Sequence, residues 1–345
     1  MDSIRPYLNW QTTIQWLKNP PAEYAEKIQP PYDFYAEFER IYSKACVNGY
    51  SNEYSFGNDL YKAFQHAHDG HFVIYPDSFT GIFTFGRTTP LVSVSLDGMS
   101  IPEVYVYQDV LSSVVGNATF TPSPLAMIDG QNATEYLLNW ASYGSLQDPD
   151  ALWNNMFYLL QQVSLGSAGT GVGTFAGSGR GRYIYPGPST TLTFANGTTV
   201  TNENFARVLV PFDNITSGPD IYKEYFIPPS SELQDAEELA TSTTSSTSSS
   251  STSSTMSTTI PAPGYPTPLV REKSNLNSGY FLEGEGYDDI AVLSIASFVS
   301  TDSDEIPFQK VNTYLIDQAV ARKPPISSDF MALLTCRRKQ DETHH

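Results

Sequence analysis

The sequence predicts an α+β multidomain protein with an N-terminal helical region, a β-rich module, a disordered Ser/Thr linker and a partial α/β domain. Three observations carry this prediction. Apolar residues recur at helical spacing from Pro31 to His66, and extended runs between Leu91 and Val200 are broken by Asp-Gly and Asn-Gly turns. From Thr241 to Thr259 every residue but Met256 is Ser or Thr, a tract that can bury nothing. The boundaries read as 1–89 for the helical region, 90–235 for the β-rich module, 236–268 for the linker and 269–345 for the last, incomplete domain with its divergent tail.

Composition narrows the class. Aromatic residues are plentiful, with 22 Tyr and 19 Phe, as in folded rather than disordered chains. The net charge is −18 although only 16% of residues are charged, and the sole basic run is Arg337-Arg338-Lys339. Nucleic acid is therefore not an expected partner. No stretch approaches the ~20 apolar residues of a membrane span. The N-terminus shows neither the basic nor the apolar region of a signal peptide. Two cysteines exclude a disulfide framework, and Cys46, on an apolar helix face, reads as a buried thiol.

The elements follow in order. Phe34, Phe38, Ile41 and Tyr42 mark an amphipathic helix ended by Gly49. Ser51 or Ser55 can cap the next helix, which runs through Leu60 and Phe64 to His66 and can close at Gly70. His71 then opens a strand over Phe72-Val73-Ile74-Tyr75. Leu91 to Tyr107 reads as two strands about Asp97-Gly98, and Ala126 to Gly130 as a strand and turn before a helix over Ala133 to Ala141. Asn196-Gly197 marks another hairpin. Past the linker, Ser278 to Leu282 and Ile290 to Phe298 read as strands. Phe308 to Val320 reads as a helix with Val311, Leu315, Ile316 and Val320 on one face. A buried strand is due after it, but a polar Pro-Pro tail follows and the unit reads as unfinished.

Chemistry is sought at His66-Ala67-His68-Asp69-Gly70-His71, which holds three of the five histidines. Metal ligation is disfavoured, because residues two apart do not share a helix face and Asp69 points elsewhere. His71 is read as a base in a cleft or as a ring that satisfies a local carbonyl, and His66 and His68 as structural. Gly169 to Gly181 is glycine-rich but lacks the Lys-Ser/Thr of a phosphate loop, so it reads as a surface loop with solvated Arg180 and Arg182. Asp288-Asp289 and Asp302 to Glu305 read as solvated turns, and no Gly-x-Ser-x-Gly elbow occurs. Sequons stand at Asn117, Asn132, Asn196 and Asn214 as N-glycosylation candidates, although so Ser/Thr-rich a chain yields about three by chance.

Several of these pieces together resemble a known family. They are Trp16-Leu17-Lys18-Asn19-Pro20-Pro21, Ala67-His68-Asp69-Gly70-His71-Phe72, Pro90-Leu91-Val92-Ser93-Val94 with Asp97-Gly98, and Ile128-Asp129-Gly130. After them come Gly264-Tyr265-Pro266, Gly279-Tyr280-Phe281-Leu282 and Ala291-Val292-Leu293. In this order they resemble fungal relatives of the tail-specific, C-terminal processing serine peptidases, whose PDZ-like module is similar to that of the chlamydial protease-like activity factor. The resemblance implies that His71 is the general base that deprotonates a serine, with no metal or organic cofactor. It also implies that residues 90–235 form the PDZ-like module, with a peptide or protein as partner. It further implies a secretory or extracellular setting and processing of a peptide precursor, since some such proteins are encoded beside precursors of ribosomally made cyclic peptides.

Two departures qualify that reading. The family's strand, glycine-rich turn and nucleophilic serine are not read after Phe308 to Val320, and Ser327 and Ser328 do not replace them. With the missing signal peptide, both ends read as clipped and the chain as inactive by itself. The competing readings are a non-catalytic peptide-binding pseudo-peptidase and a zinc hydrolase built on the three histidines.

Overall fold

The computed structural model describes residues 1–160, 171–227, 265–273, 276–284, 286–287, 290–295 and 305–322, with backbone alone at 78–79 and 330–334. The Ser/Thr tract, Gly169, Asp288-Asp289, Asp302, Ser327, Ser328 and Cys336 lie outside the described residues. The chain forms two compact units, the larger built from most residues before the linker and the smaller chiefly from those after it.

The larger unit opens with three short helices, α1 (Arg5–Leu8), α2 (Ile14–Lys18) and α3 (Ala22–Lys27), which the sequence reading does not foresee. Each is too brief to show a full apolar period. Two longer helices follow, α4 (Phe34–Cys46) and α5 (Glu53–Gln65). Asp33 caps α4 by accepting from the Ala36 amide, and Phe34, Phe38 and Ile41 form its buried stripe. Continuing that stripe by four residues reaches Ala45, so Cys46 falls beside it and is exposed rather than buried. Helix α4 ends ahead of Gly49, with Asn48 at φ 53° taking the left-handed turn. The cap of α5 is Asn52, not a serine, and its side-chain Oδ1 accepts from the Ser55 amide.

After α5 the left-handed residue is His68 (φ 49°), not Gly70. Phe72-Val73-Ile74-Tyr75 is extended but pairs with no strand, so the expected strand is absent. Its alternation survives. Phe72 and Ile74 enter the helical core with Phe34 and Phe64, while Val73 and Tyr75 turn to Tyr61 and Tyr183. A segment packed on both sides needs no ladder to stay extended. A short helix, α6 (Asp77–Thr80), then leads to the sheet.

The sheet begins with β1 (Phe83–Arg87), ahead of the boundary drawn at 90. Next comes an antiparallel hairpin, β2 (Leu91–Val94) with β3 (Glu103–Val106), then helix α7 (Tyr107–Val114). Strands β4 (Leu125–Ile128) and β5 (Gln131–Asn132) close on Asp129 (φ 50°) and Gly130 (φ 77°), a turn whose two positive φ angles suit an antiparallel hairpin. Helix α8 (Ala133–Ala141), capped by Asn132, and helix α9 (Pro149–Asn154) follow. The Asn196-Gly197 hairpin joins β6 (Ser189–Phe194) to β7 (Thr199–Val208). The order is β1-β7-β6-β4-β5, and β7 is long enough to pair β6 with its first half and β1 with its second. Ile128, Leu137, Met156, Phe175 and Leu192 form the core of this module, each at 1% exposure or less.

In the smaller unit β8 (Val270–Arg271), β9 (Asn277–Phe281) and β10 (Ala291–Ile295) are antiparallel. Helix α10 (Ile306–Arg322) packs through Leu315 onto Gly279, where a Cβ would stand 2.9 Å from a Leu315 methyl. Val311 and Leu315 are buried, but Ile316 and Val320 face solvent. The chain then adds β11 (Phe330–Leu334) parallel to β10, with Ala291 opposite Phe330 and Ile295 opposite Leu334. This corrects the expectation of a missing strand. Phe-Met-Ala-Leu-Leu is the short apolar run that a parallel strand requires, masked in the sequence by the Pro-Pro step and the polar residues before it.

Candidate functional site

The three clustered histidines have different surroundings. His66, at the end of α5, stacks on Tyr143 with 6° between the rings and meets Tyr32 edge-on. Its carbonyl accepts from Gln29 Nε2 at 2.8 Å. His68 is 9% exposed, and its Nδ1 lies 2.9 Å from the Gly144 carbonyl just past α8. The His71 ring is 74% exposed. Among the described residues no serine hydroxyl hydrogen-bonds that ring.

What is ordered at His71 is its backbone. Asp69 Oδ1 accepts the His71 amide at 2.8 Å, which closes a side-chain turn and places the carboxylate 3.9 Å from Nδ1. Asp69 Oδ2 accepts from Gln11 Nε2 at 2.6 Å, and Gln11 also donates to Thr13 Oγ1. Phe72, next in the chain, is wedged between Phe34 and Phe64 at ring distances of 4.8 and 4.6 Å. Arg180 donates to the Gly70 carbonyl at 2.7 Å, which corrects its reading as a solvated side chain. Arg182 likewise has a partner, donating to the Tyr183 hydroxyl. Sequence reasoning missed Gln11 and misread Arg180, because no spacing connects residues so far apart along the chain.

Burial gives the two inner histidines a pH signature. Desolvation first, and then the neighbouring His68, hold the His66 imidazole below its ordinary value, and desolvation does the same for His68. The groups around His66 are Lys62, Glu37 and His68, while His68 meets the carbonyls of Gly144 and Leu146. As pH falls, the unfolded chain takes up these protons first, near pH ~6.5. The contribution of each buried ring is therefore whole above that pH and is lost as pH drops through the folded value. We expect a lower urea midpoint at pH 5 than at pH 7.5, and a smaller drop in a His66→Phe chain. An identical drop in the variant would assign the titration elsewhere.

Among the described residues no helix is long and apolar enough to cross a membrane. All four sequon asparagines are exposed. Asn132 Oδ1 already caps α8, accepting from the Thr134 and Glu135 amides.

Comparison with known proteins places this geometry. Residues 84–213 match the family described as the CPAF-like PDZ domain, which begins within β1 and ends past β7. Two curated relatives from Diaporthe leptostromiformis, Peptidase S41 family protein phomP1' and Peptidase S41 family protein phomP1, are each 29% identical to this chain over 301 residues. The alignment takes in 85% of this chain and 42% of each relative. The chain thus spans about two-fifths of the length of the curated relatives it matches. No solved structure matches. The chain resembles fungal peptidases of the S41 family, and its β-rich module resembles a CPAF-like PDZ domain.

Proposed function

We propose that this chain is serine peptidase-like, with His71 as its general base and the PDZ-like module holding an extended peptide. The observation that carries the reading is the Asp69-Gly70-His71 turn, which fixes the backbone of one exposed imidazole and sets a carboxylate beside it, while His68 is buried and His66 half-buried. An exposed imidazole on a rigid support can take a proton from a serine hydroxyl and return it to the leaving amine, with Asp69 favouring the imidazolium that forms between the two steps. The substrate in this reading is a segment of a ribosomally made peptide precursor. A secretory route, with glycans at Asn117, Asn196 or Asn214, belongs to the same proposal.

We propose further that the 345-residue chain is inactive alone, since no serine hydroxyl is held against the base among the described residues. Incubation with a fluorophosphonate probe is expected to give no labelling. Strong labelling that vanishes in His71→Ala would sink the inactivity claim and establish the base. Strong labelling that persists in His71→Ala would sink the role of His71.

A further inference from the structure

The glycine-rich stretch that precedes β6 is built for close approach. A Cβ at Gly173 would stand 2.1 Å from the Met156 carbonyl oxygen, one at Gly181 2.2 Å from that of Thr174, and one at Gly177 2.4 Å from that of Phe85. Gly177 also takes φ 97°. These glycines let two tight turns, Thr174–Ala176 and Gly179–Tyr183, lie directly against β1. The second turn carries Arg180. Its carbonyl is pinned by the Tyr61 hydroxyl at 3.0 Å, and Tyr61 is fully buried.

The Arg180 side chain forks. Nη2 donates to the Gly70 carbonyl at 2.7 Å and Nη1 to Gln65 Oε1 at 3.0 Å, with Gln65 itself 1% exposed. On its other side the same segment is tied by Gln11 to Asp69. The His71 ring makes no hydrogen bond of its own to a described residue, so what holds the base in place is the turn of its backbone, with the Asp69 carboxylate 3.9 Å from Nδ1. We propose that Arg180 is a positioning residue for His71, a strut by which the PDZ-like module fixes the turn that aims the base. The proposal rests on the reading of His71 as base, because only a proton acceptor needs its direction so constrained. Misplacing a reacting group by about 1 Å can cost ~10²-fold in rate, and a planar five-donor fork suits a two-oxygen brace better than a single ammonium.

The test uses the full chain, wild type, Arg180→Ala and Arg180→Lys, with nitrogen-15 histidines. It reads the tautomer signature of each imidazole and the amide exchange of residues 69–73. In Arg180→Ala the His71 signature is expected to change from that of the wild type and its amide to exchange about tenfold faster, the equivalent of one lost hydrogen bond. His66 and His68 should stay as they are, and Arg180→Lys should fall between wild type and Arg180→Ala. If Arg180→Ala does not fold, the same shifts in Arg180→Lys decide. Unchanged His71 signals would overturn the proposal even if the melting temperature fell, since that is the result of a merely structural arginine. Neither readout needs a peptidase reaction, so failure here is separable from failure of the base assignment, which the fluorophosphonate experiment decides wherever labelling occurs.

Discussion

Arg87→Ala is expected to destabilise the larger unit by about 3 kcal/mol, through orphaned hydrogen-bond partners and a void between two rings. Arg87 ends β1 at 3% exposure, and among the described residues it makes no ion pair. Its three nitrogens meet the Thr190 hydroxyl at 3.2 Å, the Phe175 carbonyl at 2.7 Å and the Tyr136 hydroxyl at 2.7 Å. The guanidinium lies 3.9 Å from the Trp140 ring centroid and 4.3 Å from that of Phe175. Desolvation opposes the cation, pulling its pKa down, and the ring faces and neutral oxygens offset that cost. Arg87→Met fills the void but leaves the same three oxygens without a donor, so it should recover only the packing part of the loss. Chemical unfolding of the three chains checks this. An Arg87→Ala midpoint equal to wild type would mean that desolvation cancels every contact the side chain makes.

Much of the module was legible because its turns are written in short-range chemistry. Asp97-Gly98, Asp129-Gly130 and Asn196-Gly197 each stand between paired strands, and Asp129-Gly130 takes the two positive φ angles such a pair favours. The stripe Phe34, Phe38, Ile41 was legible for the same reason, being a local period that packing merely ratifies. What could not be read depends on distant partners. Nothing around Arg87 or Arg180 distinguishes a buried arginine from a solvated one until Phe175 and Gly70 arrive from elsewhere in the chain. Phe72 to Tyr75 has the alternation of a strand because two cores claim it, and β11 was overlooked because its flanks outweighed its five apolar residues. The candidate site was half legible: the Asp-Gly-His turn is local, whereas its braces at Gln11 and Arg180 are not.

Phe34→Ala should cost about 4 kcal/mol, the largest single loss we expect, because the ring is wholly buried and its removal leaves a cavity. Its edge meets Phe64 at 5.0 Å and Phe72 at 4.8 Å between centroids, and Phe38 lies one turn along the helix at 6.0 Å. Little can collapse into the gap, since Phe64 and Phe72 already pack on each other at 4.6 Å and α4 is held to its neighbours by the same cluster. Phe34→Leu retains most of the volume and should cost about 1.5 kcal/mol. The effect reaches the site through one covalent step, since Phe72 is the residue after His71. Loosening the anchor should therefore raise amide exchange at residues 71–73 in Phe34→Leu, a chain that still folds, while the β6–β7 hairpin keeps its protection. A denaturation midpoint for Phe34→Ala within about 1 kcal/mol of wild type would contradict the packing argument. Unchanged exchange at 71–73 in Phe34→Leu would show instead that Asp69 and Arg180 hold the base segment without help from the helical core.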